Sequence, residues 1–407
     1  IKPHPANMAI FSRKTIIFEQ KFIYTFDYIC TNTLPEMNNI RKKFSLKYIV
    51  PLCAAAMSVS CSPGGGYISV TGYAQGGTYT VKLNMDTDKG RVRMSPDEIR
   101  SGIDSVILAI DNSLSGYNKG SLLSRFNAGE TIVPDDIFID IYNVSYDFYR
   151  KTDGAFDVAA GPLFDIWGFG FKGNGFPDDS QVNEILAGCG MGRLVENIES
   201  AVASDGTLAP YDLLRSELRE ASDNPALPVL NYNAIAQGYT CDLIAKYLYS
   251  LGVKDMLVDI GGEIYCDGVN PGGTSWKIGV DKPVDGNDTP GAQLEGIVES
   301  GGGRRGIVTS GNYRKFYIKD GKKYAHTIDS RTGYPVSHTL LSATVLAGDA
   351  TAADALATYC MVIGLEQAME FLETGKSLSG EYIEGLDGYL IYDDNGSMKT
   401  WSSAALR

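Results

Sequence analysis

Between residues 255 and 347 strand-like segments follow one another with no helical pattern between them: DMLVDIGGEIYCDG (255–268), then 276–281, 306–310, 315–318 and 341–347. Helical spacing is confined to other stretches. One lies near 95–115 behind the start signal Ser95-Pro96-Asp97-Glu98, and another is DDIFIDIYNVSYDFYRKTDG (135–154), which stops at Gly154. AIAQGYTCDLIAKYLYSLGV (234–253) is amphipathic, and ATAADALATYCMVIG (350–364) closes at Gly364. A strand after a glycine turn is expected at 76–85, whereas 203–229, polar and proline-bearing, reads as a surface insertion. Strands and helices mixed without regular βαβ alternation specify an α+β fold. The expected architecture is mixed sheets flanked by helices, and no fixed-period repeat points to a solenoid or propeller.

Charge divides the chain sharply. Residues 1–61 hold 8 Lys and Arg against 3 Asp and Glu, a net +5, while the remaining 346 hold 28 against 46, a net −18. A body this acidic argues against nucleic acid as a partner. A phosphorylated ligand would need backbone N–H groups, local arginines or a metal ion to supply positive field.

The basic N-terminus reads as targeting. MNNIRKKFSLKYIVPLCAAAMSVSC begins at Met37 with the cationic Arg41-Lys42-Lys43, continues through an apolar run from Tyr48 to Val59 and ends at Cys61. The run is too short to span a bilayer. The segment resembles a bacterial lipoprotein signal, in which the cysteine becomes the lipidated first residue; an ordinary secretory peptide is the alternative. The expected organisation is an upstream extension over 1–36, a signal over 37–60, a tether over 61–70 and one domain over 71–407. The expected location is outside the cytoplasm, lipid-anchored to a membrane. Cys189, Cys241, Cys266 and Cys360 are widely spaced with no Cys-x-x-Cys pattern, so zinc is not indicated and buried free thiols are the simplest expectation.

Several stretches carry possible chemistry. YAHTIDSRTGYP (324–335) gathers an imidazole, a carboxylate and a guanidinium in a chain with three histidines. TDGAFDVAAGPLFDIWGFG (152–170) is glycine-rich, and Phe156 and Trp167 are candidates to stack on a planar ring. Gly261-Gly262 inside a strand pattern implies a bulge or a ligand close to the backbone. Thr309-Ser310-Gly311 suits either a phosphate or hydroxyl grip or a β-turn. Asp354 and Thr358, at i and i+4, share a helix face and offer hard oxygen donors suited to Mg²⁺; a solvated helix face would show the same pair.

In sequence order, LSxY with SxLSRFN, TDGAFDVxxGPL with WGFG, NAIAQGYTCD, IGGEI, TSGNYRKF, HTIDSRTGYP and AADALAT resemble the ApbE family, the FAD:protein FMN transferases, over roughly residues 72–400. The resemblance implies an FAD cleft between two lobes. It also implies Mg²⁺-dependent transfer of FMN from FAD to a serine or threonine of an acceptor protein, with AMP released. Carried over by motif, Tyr117, Ala155, Phe156, Asp157, Asn231, Gln237 and Ile328 fall at FAD-contacting positions, and Gly76 stands where relatives keep an adenine-side methionine. The Ala234 carbonyl, Asp354 and Thr358 would ligate the metal, and His326 would act in transfer. Relatives often have aspartate at position 231 and lysine at 237. Acceptors expected by resemblance are membrane redox pump subunits or exported flavin reductases. The alternatives are an Mg²⁺-dependent FAD pyrophosphatase giving FMN and AMP, and a non-catalytic FAD-binding lipoprotein. His338, in a strand-like run, is expected to be structural.

Overall fold

The computed structural model describes residues 60–61, 66–170, 176–221, 226–284, 287, 291–312, 316–319 and 322–407. The expected upstream extension and nearly all of the signal lie outside them, as do Tyr313 and Arg314. β1 (Ser60–Cys61), β2 (Tyr67–Ala74) and β3 (Gly77–Asn84) come first, then the small hairpin β4 (Asp86–Thr87) and β5 (Gly90–Arg91). A helical excursion follows: α1 (Pro96–Leu114), α2 (Leu122–Asn127), α3 (Asp136–Lys151), α4 (Gly161–Ile166), α5 (Asp179–Gly188), α6 (Ser216–Ala221) and α7 (Ala236–Ser250). Next come β6 (Met256–Ile260), β7 (Glu263–Asp267), β8 (Lys277–Asp281), β9 (Leu294–Glu299), β10 (Arg305–Gly311), β11 (Phe316–Lys319), β12 (Lys322–Ala325), β13 (Ile328–Asp329), β14 (Tyr334–Pro335) and β15 (Leu340–Ala347). The chain finishes with α8 (Ala350–Ile363), α9 (Leu365–Thr374), β16 (Asp387–Asp394) and β17 (Ser397–Ser402).

Among the described residues nine strands form one sheet in the order β1-β2-β3-β6-β7-β10-β15-β16-β17. The α+β class is as expected, but within the described residues every pairing is antiparallel rather than mixed. Side chains alternate across such a sheet. On β10, Ile307 joins a buried cluster with Trp276, Val280 and Val298 beneath the β8–β9 hairpin. Its neighbour Gly306 lies against the start of α8, where a Cβ would collide with Asp349 O. The helices α7 and α8 pack on each other and on β6, β7, β10 and β15.

Local signals set the helix ends. Ser95 and Glu98 form a reciprocal capping box at α1, with Ser95 N donating to Glu98 Oε2 at 2.7 Å. Asp135 caps α3, and its Oδ1 accepts from Phe138 N at 2.8 Å.

Three expectations are corrected. The tether over 61–70 gives way to a strand from Tyr67, because YISVTGYA buries Tyr67, Ile68, Val70 and Ala74 once β3 pairs with it. The 203–229 stretch is not a simple surface insertion: Leu208, Leu213 and Leu214 are buried, and bridges tie Leu208 to Ile132 and Leu214 to Leu194. Of the two readings of Gly261-Gly262 the bulge alone is replaced, by the two-residue turn of the β6–β7 hairpin, and Gly261 does line a cavity. Ile260 pairs with Glu263, and φ is +70° and +111° at the two glycines, which non-glycine residues adopt at a cost.

Candidate active site

A cavity of about 350 Å³ lies where the end of β10 meets α7, α8 and the β6–β7 turn, a size within the range of small-molecule sites. It gathers residues from stretches far apart in sequence. From the block over 155–170 come Ala155, Phe156, Asp157, Phe164 and Phe169; from the approach to α7 come Asn231, Asn233, Ala234 and Gln237. Thr309, Ser310 and Gly311 enter from β10, His326, Ile328 and Ser330 from around β13, and Asp354, Thr358, Met361 and Val362 from α8. Carboxylates at 157, 263 and 354 are among the lining residues, and among the described residues no lysine or arginine is.

The α8 side explains the placement of two predicted oxygen donors. Asp354 and Thr358 are one helical turn apart, so both face the cavity. Asp354 is buried, and its Oδ2 accepts from Gly238 N at 3.0 Å. That amide would otherwise reach back to Ala234, whose carbonyl accepts no backbone hydrogen bond among the described residues. Burial pushes the Asp354 carboxyl up to about 7, against the pull of the Gly238 N–H. A carboxylate short of positive partners, a hydroxyl and an uncommitted carbonyl make a hard-oxygen set that fits Mg²⁺.

Loop geometry holds the opposite wall. Asp157 Oδ1 accepts from Ala159 N at 2.8 Å, and both of its oxygens accept from Met191 N, at 3.1 and 3.0 Å. Burial raises this carboxyl to about 6 even so. The group is committed to folding its own loop. Asn231 N donates to Val158 O at 2.7 Å, and Asn127 brackets Leu230, its Nδ2 donating to Leu230 O and its Oδ1 accepting from Leu230 N, both at 2.8 Å. The asparagine closing LSRFN is therefore a positioning residue for Asn231, a role the motif alone does not disclose. Asn231 Oδ1 in turn accepts from Asn233 N at 3.0 Å. Gln237 Nε2 lies 3.4 Å from Ile260 O, beside Gly261.

Within HTIDSRTGYP the polar groups divide. Asp329 and Arg331 pair with each other through two contacts of 2.9 Å and brace the turn. His326 lines the cavity, half-buried, with the Phe169 ring edge-on at 6.4 Å between centroids. Ser330 Oγ donates to Gly154 O at 2.6 Å, which joins this turn to the glycine-rich wall. His338 Nε2 lies 2.8 Å from Met361 O near the end of α8, a structural position as expected. Thr309 and Ser310 are strand residues paired with Thr344 and Ala343, which removes the β-turn reading of that stretch.

Some of the expected residues lie outside this lining. Trp167 does not line the cavity: it stacks on Tyr324 at 6.0 Å and 25°, and its indole N–H donates to Gly333 O at 2.8 Å. Phe164 and Phe169 stand in the lining instead. Tyr117, in the α1–α2 connection, is 74% exposed and outside the lining. Gly76 is also outside it, in the β2–β3 turn, where its neighbour Gly77 comes within 3.6 Å of the Gly261 Cα when a Cβ is placed on it. The four downstream cysteines are free; three are buried and Cys189 is half-buried.

The pattern of these residues matches the model of the ApbE family over residues 75–380. The chain belongs to the ApbE family. It is 33% identical over 311 residues to the FAD:protein FMN transferase of Escherichia coli K12, covering 75% of this chain and 80% of that one. It is 31% identical over 369 residues to the enzyme of that name from Haemophilus influenzae, covering 88% and 97%. Among solved structures, the flavin transferase ApbE from Vibrio cholerae superposes with a TM-score of 0.64 at 28% identity, over 84% of this chain and 98% of that one. ApbE from Pseudomonas stutzeri gives 0.65 at 28% identity, over 86% and 95%. The sheet and cavity described above are thus built on an ApbE fold.

Proposed function

We infer that this chain is an FAD:protein FMN transferase, which moves FMN from FAD to a hydroxyl of an acceptor protein. The observation that carries the reading is the single cavity into which the separated ApbE motifs converge. The finer assignment is Mg²⁺-dependent transfer to a serine or threonine with release of AMP. The acceptor oxygen attacks the phosphorus of the FMN half, a phosphoester bond forms, and the P–O bond to AMP breaks. Phosphoryl transfer depends mainly on positioning and charge neutralisation. Among the described residues the cavity is lined by the carboxylates of Asp157, Glu263 and Asp354 and by no basic side chain, an environment in which a pyrophosphate is helped by a cation, which supports the Ala234, Asp354 and Thr358 ligand set. When bound, Mg²⁺ would neutralise the phosphates and polarise the phosphorus. His326 takes the proton of the acceptor hydroxyl.

Incubation with FAD, Mg²⁺ and a candidate acceptor is expected to yield in-gel flavin fluorescence on the acceptor and one AMP per flavin transferred. Free FMN with no labelled protein would favour the pyrophosphatase, in which water replaces the acceptor hydroxyl, and intact FAD would favour a binding protein.

For localisation, the reading is that Cys61 carries lipid and holds the enzyme at a membrane outside the cytoplasm, where it meets a membrane-bound or exported acceptor. A single acyl chain binds marginally, so stable retention requires more than one. Cys61→Ser expressed from Met37 is expected to shift the protein from the membrane to the soluble fraction. Retention after a salt wash would sink the anchor assignment.

A further inference from the structure

Two residues outside the proposed ligand set join α7 to α8 at the point where the metal donors arise. Gly238 and Asp242 are one turn apart on α7, and Ala350 and Asp354 are one turn apart on α8. At the first contact Gly238 N donates to Asp354 Oδ2 at 3.0 Å. At the second, the Asp242 carboxylate reaches across to the first turn of α8. Its Oδ1 accepts from Ala350 N at 2.9 Å, and its Oδ2 accepts from Thr351 N at 2.8 Å and from the Thr351 hydroxyl.

The approach is unusually close. A Cβ on Gly238 would overlap Ala350 O and fall 2.8 Å from Asp354 Cβ, so no larger residue fits between the helices without separating them. Asp242 also does more than a local cap would. Asp349 already occupies the N-cap of α8 and accepts from Ala352 N at 2.7 Å. A second carboxylate brought from another helix adds a long-range tie beside the exposed Asp349, and burial and the Asp349 charge both raise the Asp242 carboxyl.

We propose that Gly238 and Asp242 are positioning residues, a two-point clamp that fixes the rotation and height of α8 on α7 and so aims Asp354 and Thr358 at a divalent cation. The inference rests on the metal site proposed above. Outer partners that orient metal ligands typically change affinity by about 10- to 100-fold when removed. In Asp242→Asn, the amide NH₂ faces the N–H groups of Ala350 and Thr351, so at least one of the three bonds is lost while the side-chain volume stays the same.

The test uses the full domain and Mn²⁺ as a spectroscopic probe, with affinity read by electron paramagnetic resonance in the presence of FAD. Asp242→Asn is expected to weaken Mn²⁺ by about 10- to 100-fold, to raise the half-saturating Mg²⁺ for transfer by a similar factor and to recover most of its maximal rate at excess Mg²⁺. Gly238→Ala is expected to do the same with a larger fall in melting temperature. A merely structural role would lower the melting temperature of Asp242→Asn and leave Mn²⁺ affinity of the folded protein at the wild-type value, which would overturn the clamp. If the wild-type protein itself fails to bind Mn²⁺, the metal site is what fails, and the clamp falls with it.

Discussion

Replacing His326 with alanine is expected to lower flavin transfer by about two to four orders of magnitude, the usual contribution of a positioned general base. FAD binding should change little, because the proton in question belongs to the acceptor hydroxyl. The geometry narrows the choice of base. Among the described residues His326 is the only imidazole in the cavity lining, and His338 is engaged at Met361 O on the far part of α8. Asp157, also in the lining, is committed to the amides of Ala159 and Met191. The Phe169 ring packed edge-on restricts the orientations of His326 and shields one side of it. Two measurements decide the matter: FAD affinity by fluorescence titration, and transfer by in-gel flavin signal over a time course. Partial recovery of the alanine variant by added imidazole would mark lost proton transfer. Transfer at the wild-type rate would show that the histidine only packs against Phe169.

The parts of this fold that could be read from sequence are those in which local chemistry and tertiary demand agree. α1, α3, α7 and α8 are legible as helical stretches, α1 also by its start signal at Ser95, so their cores lie close to the expected positions. β2 was hidden because Tyr67–Ala74 follows a glycine-rich stretch and becomes a strand through pairing with β3. Trp167 had the chemistry to stack on a ligand, but Tyr324 and the Gly333 carbonyl, more than 150 positions away in sequence, take its face and its N–H. Only the folded chain decides that competition. Among the residues expected from motifs, Asn231 lines the cavity with its backbone pinned by another motif residue, Asn127. Tyr117 and Gly76 sit at exposed turns, where a motif says little about which way the surface faces. Gly238 carried a weaker signal: a glycine in the first turn of a helical pattern, away from its C-terminal end, is a candidate for close packing.

Asp354→Ala is expected to weaken Mg²⁺ binding by more than the roughly 10- to 100-fold that loss of an outer partner costs, and to reduce transfer and Mg²⁺-dependent FAD binding together. The remaining donors, the Ala234 carbonyl and the Thr358 hydroxyl, are neutral and hold a divalent ion poorly without a carboxylate. High Mg²⁺ should restore part of the activity of Asp354→Ala and none in His326→Ala, which separates a metal defect from a base defect. The pH dependence gives a second, independent reading. In the metal-free protein burial lifts the Asp354 carboxyl from 3.8 to about 7, so between those values the folded state binds the proton more tightly than the unfolded state does. Its contribution to stability is therefore largest below about pH 4 and is lost as pH rises through 7. Metal binding requires the ionised carboxylate, so its dependence has the opposite sign: half-saturating Mg²⁺ should rise about tenfold for each pH unit below 7. Thermal melting at pH 8 should accordingly show a clear stabilisation by Mg²⁺ that fades by pH 5.5 and is absent from Asp354→Ala at both. If a chelator leaves wild-type melting, FAD affinity and transfer unchanged at pH 8, then Asp354 is a buried acid that serves only the contact with Gly238, and the cavity must neutralise the pyrophosphate by some other means.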